Sequence, residues 1–320
     1  MKQVLVTGGC GFIGSNFVRY LLKTRHDLHV VNLDKLTYAG RKENLEDIEN
    51  SEKYDFIQGD ICSPQDVEKA MKGCDAVVNF AAETHVDRSI ESADAFTQTN
   101  FVGVKVLCDE AKKQGVEKFV QISTDEVYGQ IMEGSFKETD MLNPRNPYSA
   151  AKAAGELLAM SYFTTFKLPV TVTRSSNNYG PYQFPEKVIP LFVTNLLRGK
   201  KVPLYGEGKN IRDWLFVEDN CEAIAAALEK GKPGQIYNVG GDREMQNIEL
   251  TKKILAELGK GEEMIEKVTD RLGHDLRYSL DSTKIKEELG WAPKTSFEEG
   301  LKKTVQWYKE NEKWWKELVK

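Results

Sequence analysis

Residues Thr7-Gly8-Gly9-Cys10-Gly11-Phe12-Ile13-Gly14 lie between a short apolar run (residues 3–6) and a stretch of helical spacing (15–24) that puts Phe17, Val18, Leu21 and Leu22 on one side. A glycine cluster in that position constrains the fold more than any other feature of the chain. It permits a tight turn from strand to helix, and it lets backbone amides approach an anion at the helix N-terminus. Gly9, Gly11 and Gly14 fit G-x-G-x-x-G, while Gly8, Gly11 and Gly14 fit the wider G-x-x-G-x-x-G. Such a motif says little alone. Here the strand before it and the helix after it supply the context it requires.

The alternation continues. Apolar, β-branched runs at 28–33, 55–58, 76–80, 119–122 and 170–174 are separated by helical patterns at 66–72, 94–114 and 150–166. The runs are continuously apolar, which implies burial on both faces. The expected fold is therefore α/β, a doubly wound (Rossmann) parallel sheet covered by helices. After about residue 176 the texture changes. Residues 177–190 are rich in Asn, Tyr and Pro, and shorter strands (202–205, 213–217, 235–239) and helices (219–230, 247–258, 284–289, 297–316) follow. The expected division is a dinucleotide-binding domain over 1–176, to which residues 213–240 return, and a smaller mixed α/β substrate domain over 177–320. The aromatic and charged stretch 307–315 is expected to cap the core as a helix.

A formal net charge of −5 argues against a nucleic-acid surface, but not against one anionic small molecule in a locally basic site. Residues 1–6 run straight into a strand without a signal-peptide core, and no run approaches the length of a membrane span. A soluble, cytoplasmic protein with no membrane contact is expected. The five cysteines form no C-x-x-C pair, so neither a disulfide framework nor a zinc site is indicated, and no metal is expected.

The second strand ends at Asp34, twenty residues beyond Gly14. A carboxylate there accepts from a ribose 2′-hydroxyl and repels a 2′-phosphate, so NAD is expected rather than NADP, with Lys35 alongside. Asp60 and Ile61 end the third strand as a clamp for the adenine. Phe80, Ala81, Ala82 and Thr84 follow the fourth and leave room for a dinucleotide over the strand ends.

Tyr148 and Lys152 are four apart and share one helical face. A tyrosine titrates near pH ~10. A neighbouring ammonium and a nicotinamide cation are expected to lower that value, so that the phenolate accepts a carbinol proton. Upstream, Ser123-Thr124-Asp125-Glu126-Val127-Tyr128-Gly129 adds two adjacent carboxylates that a plain dehydrogenase does not need. Two such groups divide into acid and base if their environments separate their pKa values.

On these residues the chain resembles the extended short-chain dehydrogenase/reductase family. Within it, residues 123–129, 82–89 (Ala-Glu-Thr-His-Val-Asp-Arg-Ser) and 174–187 (Arg-Ser-Ser-Asn-Asn-Tyr-Gly-Pro-Tyr-Gln-Phe-Pro-Glu-Lys) resemble the nucleoside-diphosphate-glucose 4,6-dehydratases, above all those acting on dTDP-glucose. The resemblance implies oxidation at C4, loss of water across C5–C6 and hydride return to C6. Glu126 would be the base at C5 and Asp125 the acid for the C6 hydroxyl. Thr124 would bond the C4 oxygen beside Tyr148, and Lys152 would hold the nicotinamide ribose. Leu36, Thr37, Thr99 and Asn178 would be further cofactor contacts.

For the substrate, the resemblance implies that Arg212 and Lys187 meet the diphosphate. Pro203 and Tyr205 would flank the base, and Thr84, Arg88 and Glu186 would lie near the sugar. Asn177, Asn247, Arg271, His274 and Tyr278 complete that set. It also implies a homodimer through helices 94–114 and 150–166. The rivals are a UDP-glucose 4,6-dehydratase, a UDP-hexose 4-epimerase and a UDP-glucuronate decarboxylase. An epimerase needs no acid at C6, and the decarboxylase pattern has serine where Asp125 stands. A non-catalytic dinucleotide-binding regulator would have no need of Thr124, Tyr148 and Lys152 together.

Overall fold

The computed structural model describes residues 1–270 and 274–319. Among them are strands β1 (Gln3–Thr7), β2 (His29–Asp34), β3 (Tyr54–Gln58), β4 (Ala76–Asn79), β5 (Lys118–Thr124) and β6 (Val170–Ser175). Then come β7 (Asn177–Tyr179), β8 (Val202–Tyr205), β9 (Ile211–Phe216), β10 (Ile236–Val239), β11 (Glu244–Gln246) and β12 (Ile265–Val268). Seven form one parallel sheet in the order β10-β6-β5-β4-β1-β2-β3. This is the doubly wound arrangement.

Both faces of the sheet are buried, which explains the unbroken apolar runs. Val4, Leu5, Val6 and Thr7 of β1 have no exposure. Leu5, Leu33, Val77 and Phe119 pack against helices Pro64–Met71, Val104–Gln114 and Pro147–Phe166. Val4, Val6, Val30 and Val120 face the opposite way, against helices Phe12–Thr24 and Val217–Lys230. Each fully buried Val or Leu contributes about 1.5–3 kcal/mol.

Within the stretch 213–240, helix Val217–Lys230 covers the sheet and β10 pairs with β6. Strand β9 does not join them. It pairs with β7 and β11 in a separate three-stranded sheet, while β8 and β12 form a two-stranded one. These surround a third core of Tyr179, Phe192, Trp214, Phe216, Ile254 and Phe297. The stretch 307–315 is helical over Phe297–Glu310 and Glu312–Lys316, and Trp315 is buried in that core. Among the described residues no helix is long and apolar enough to cross a membrane.

The helix expected over 94–114 is interrupted. Asp94–Thr97 is α-helical, Gln98–Gly103 widens into a π-helix, and Val104–Gln114 resumes the α-helix. The π turn frees Asn100, whose side chain accepts from Glu83 N (2.9 Å) and donates to Glu83 O (3.0 Å). It thereby holds the chain beyond β4 as a neighbouring strand would. Helix Pro147–Phe166 lies against this turn. A Cβ on Gly155 would stand 2.0 Å from the Asn100 carbonyl oxygen.

Replacing Gly155 with Ala tests this contact. Alanine gains ~1 kcal/mol over glycine in a helix. Overpacking by one methyl costs ~1–3 kcal/mol, and here the obstacle is backbone, which cannot swing aside. The expected result is a lower urea midpoint; an unchanged or higher midpoint would show that the two helices part freely.

Candidate active site

The site lies along the carboxyl ends of the parallel strands, where the sheet reverses its order between β1 and β4. At this reversal an open α/β sheet has its crevice. The glycine turn shapes the first wall. Gly8 has φ +68°, and a Cβ there would stand 2.6 Å from Ala81 N at the end of β4. A Cβ on Gly14 would stand 2.2 Å from Gly8 O. Only glycine lets these backbones meet. Gly11 then caps helix Phe12–Thr24 without any side-chain hydrogen bond. The first amides of that helix are left to an anion, as a pyrophosphate site requires.

Asp34 is 7 % exposed at the end of β2. It accepts from Cys10 N and Leu36 N, each at 2.8 Å, and burial pushes its carboxyl up. Each oxygen keeps a lone pair for a ribose hydroxyl. Lys35 forms an ion pair with Asp60 at 2.7 Å. With the close-packed glycines, the open helix end and Asp34, the residues present fit NAD.

One cleft joins the expected cofactor and catalytic residues. Gly8, Gly11, Phe12, Ile13, Gly14, Asp34, Lys35 and Thr37 line its first half, and Asp60, Ile61, Phe80, Ala81, Ala82, Thr84, Thr99 and Asn178 continue it. Thr124, Asp125, Glu126, Tyr148 and Lys152 close its far end. Leu36 is the exception among the cofactor candidates. Its φ is +58°, its amide bonds Asp34, and its side chain packs on the apolar layer below the sheet. Asn177 and Asn178 each leave a buried Oδ1 without a protein partner beside this cleft. Tyr38, Glu83, Ser123, Gln183 and Phe184 also line it. Sequence reasoning missed them, because only the fold brings their loops together.

The catalytic candidates come from two elements. Thr124 ends β5, and Asp125–Tyr128 form a 3-10 turn capped by the Thr124 hydroxyl, which accepts from Glu126 N at 3.3 Å. Tyr148 and Lys152 project from helix Pro147–Phe166. That helix starts where it does because Asn146 caps it (Oδ1 from Ser149 N, 2.8 Å) and Pro147 follows. The cap has a second task that the sequence did not disclose: Asn146 Nδ2 donates to Glu126 Oε2 at 3.3 Å. It ties the proposed base to the start of the redox helix.

Asp125 and Glu126 are adjacent yet differ in environment. Asp125 is 3 % exposed, and its Oδ2 has no protein partner. Burial, followed by the charge of Glu126, pushes its carboxyl up to about 8, while a hydrogen bond from Thr124 (3.0 Å) and the charge of Arg212 pull the other way. Burial and the charge of Glu126 both favour its protonated form. Glu126 is half-buried.

Tyr148 departs from expectation. Burial, then Glu126 and Asp125, push its phenol up rather than down. Burial pushes the Lys152 ammonium down to about 8, and its Nζ donates to Ile122 O at 2.6 Å. With NAD bound, the nicotinamide cation would favour the phenolate.

The substrate candidates divide into three groups. Thr84, Thr124, Asn177, Glu186 and Lys187 line the cleft, and Lys187 Nζ donates to Thr84 O at 3.1 Å. Arg88 adjoins it, lying 3.8 Å over the Tyr38 ring and donating to Glu186 at 3.2 Å. Arg212 and Tyr278 sit behind the carboxylates. The guanidinium lies 4.4 Å over the Tyr278 ring and donates to Asp275 O at 2.9 Å. Burial and the charge of Glu126 push the Tyr278 phenol up.

Pro203, Tyr205, Asn247 and His274 are not among the residues lining this cleft; Pro203 and Tyr205 lie on β8, Asn247 begins helix Asn247–Glu257, and His274 lies beyond β12. The Tyr205 and His274 rings meet edge-on at 6.0 Å, and Asn247 N donates to Asn210 O at 3.0 Å. Arg271 lies outside the described residues.

The chain is similar to several characterised proteins. The family described as GDP-mannose 4,6 dehydratase matches residues 5–304. A dTDP-glucose 4,6-dehydratase of Streptomyces niveus is 51 % identical over 320 residues, covering 99 % of this chain and 95 % of that protein. The crystal structure of DesIV, a dTDP-glucose 4,6-dehydratase of Streptomyces venezuelae with NAD and TYD bound, superposes with a TM-score of 0.97 at 50 % identity, covering 99 % of each chain. A UDP-glucose 4-epimerase of Thermotoga maritima superposes with a TM-score of 0.90 at 33 % identity, covering 96 % of this chain and 99 % of that one.

The state of Asp125 can be read from stability. Its folded value of about 8 lies above the ordinary 3.8, so the folded protein keeps a proton that the unfolded chain loses. Its contribution to stability is fully present below the ordinary value and declines as pH rises through the window up to about 8. Asp125→Asn lacks this dependence. The melting temperature of the variant, relative to the original, should therefore rise between pH 5 and pH 9. A difference independent of pH would mean that Asp125 is ionised in the folded state.

Proposed function

The chain belongs to the GDP-mannose 4,6 dehydratase family, and on that premise we propose that it is an NAD-dependent dTDP-glucose 4,6-dehydratase. It oxidises C4 of the glucose, removes water across C5–C6 and delivers hydride to C6, giving dTDP-4-keto-6-deoxyglucose. The similarity to dTDP-glucose enzymes at about half identity over the whole chain supports this substrate over the GDP-mannose of the family's description. The observation that carries the reading is Asp125, a buried acid favoured in its protonated form and joined directly to Glu126 at the end of the redox cleft. An epimerase shares the fold but expels no C6 hydroxyl, so it needs no acid there.

NAD, when bound, accepts hydride from C4 and later gives it to C6. Tyr148 takes the C4 hydroxyl proton, with Thr124 bonding the same oxygen. The C4 ketone makes the C5 proton acidic, and Glu126, held by Asn146, removes it. Asp125 protonates the C6 hydroxyl, which leaves as water. Glu126 returns its proton to C5 as hydride arrives at C6. The proton gained by Tyr148 then balances the one lost by Asp125. General acid or base groups of this kind contribute about 10²–10⁴-fold each.

Residues 1–176 with β10 form the cofactor half, and the lobe around β7, β8 and β9 forms the nucleotide half. The enzyme acts in the cytoplasm as a homodimer. Phe101, Leu157 and Phe166, exposed on the two helical segments that the resemblance implicates, support that association.

Purified protein supplied with NAD should convert dTDP-glucose into an alkali-detectable keto sugar. No keto product from dTDP- or UDP-glucose would sink the proposal. The dehydration rate should fall as pH rises through about 8, because Asp125 then ionises and cannot donate. In Asp125→Asn, dehydration should drop by roughly 10²-fold or more while C4 oxidation drops far less. Equal losses would mean that its role lies elsewhere.

A further inference from the structure

Arg174 has no part in the chemistry above, yet it is 2 % exposed on β6, one strand in from the edge of the large sheet. On β6 it stands in register with Ser123 of β5 on one side and Asn238 of β10 on the other. Its guanidinium reaches two elements. Nε donates to both carboxylate oxygens of Glu156 at 3.1 Å, and Nη2 donates to the same group. Nη1 donates to the Tyr128 hydroxyl, and the guanidinium carbon stands 4.6 Å from the centre of that ring. Glu156 is 1 % exposed. It follows Tyr148 and Lys152 at the next four-residue step of helix Pro147–Phe166, so the three share a face. Tyr128 ends the 3-10 turn that begins with Asp125 and Glu126.

We propose that Arg174 is a positioning residue that sets the spacing between the redox pair, Tyr148 and Lys152, and the elimination pair, Asp125 and Glu126. One planar fork binds the helix that carries the first pair and the turn that carries the second. Arginine suits this because its five donors have fixed relative directions, and a lysine ammonium could not serve both partners at once. The far side of Tyr128 is also held. Its hydroxyl donates to Asn238 Oδ1 at 2.9 Å, and its ring stacks on Phe136 at 4.8 Å and 9°. The turn is therefore fixed by its last residue, from below, while Asn146 fixes Glu126 from above at 3.3 Å.

Spacing matters because the two pairs act on neighbouring carbons of one sugar. Tyr148 addresses C4, and Asp125 and Glu126 address C6 and C5. Displacing one pair by about 1 Å relative to the other costs up to ~10²-fold in the step it serves. The step served by the undisturbed pair continues. Arg174 thus couples two half-reactions without touching the substrate.

The inference rests on the dehydratase reading, so the experiment has an arm for each. The original protein, loaded with NAD and given dTDP-glucose, must form keto product; if it does not, the dehydratase reading fails by itself. The inference is tested in Tyr128→Phe, which keeps the Phe136 stack and deletes only the hydroxyl, and in Arg174→Lys, which keeps a charge for Glu156. In single turnovers, reduced nicotinamide should appear within about twofold of the original rate. Loss of C5 deuterium from labelled substrate and formation of the 4-keto-6-deoxy product should slow by about tenfold.

Equal slowing of both steps would make the network merely structural and overturn the proposal. So would unaltered rates in both variants, or failure of both variants to fold.

Discussion

All strands of the large sheet run the same way, so their carboxyl ends share one edge. Thr7, Asp34, Asn79, Thr124 and Ser175 arrive there together, aligned by the parallel pairing of Thr7 with Leu33 and Asn79, and of Thr124 with Ser175. Parallel strands require a crossover between them, and the crossover helices bury both sheet faces. Reactive side chains therefore collect at the one edge that no helix covers. The reversal of strand order beside β1 parts two neighbouring crossovers and opens the cleft. Gly8 against Ala81, at a distance no Cβ would tolerate, narrows its floor to backbone.

Much of this was legible because it depends on local requirements. The glycine turn needs positive φ and close backbone approach, which only certain residues allow, and Asp34 stands a fixed distance beyond it. Tyr148 and Lys152 share a face by helix periodicity alone. The missed features depend on neighbours distant in sequence. The π turn at Gln98–Gly103 exists in company with Asn100 bridging to Glu83, seventeen residues away. Asn146 reads as an ordinary cap until the fold brings Glu126 to its other end. Strand β9 resembles its neighbours in composition, but its partners β7 and β11 lie outside the large sheet.

The charge states were least accessible, because a pKa sums over everything around a group. Lys152 follows Tyr148 at helical spacing and was expected to lower its phenol. Burial dominates both residues instead, pushing the phenol up and the ammonium down. The same burial makes Asp125 an acid, aided by Glu126 one residue away. These effects are linked. A dry pocket that keeps Asp125 protonated also resists ionising Tyr148, and both carboxyl groups add to that resistance. The protein by itself therefore favours the protonated form of both groups. A nicotinamide cation bound in the cleft would shift Tyr148 toward the phenolate.

That linkage explains how one scaffold supports different outcomes. The epimerase of Thermotoga maritima shares the fold at a TM-score of 0.90, so the fold alone does not distinguish the two chemistries. The difference must lie in what meets the sugar after C4 is oxidised. At the end of the cleft stands a 3-10 turn of four residues, Asp125–Tyr128, with two carboxyl groups at its start and a buried tyrosine at its end. Asp125 is sunk into the protein while Glu126 stays half-buried, and burial with the charge of Glu126 pushes the Asp125 carboxyl up. The turn that carries both is held at Glu126 by Asn146 and at Tyr128 by Arg174.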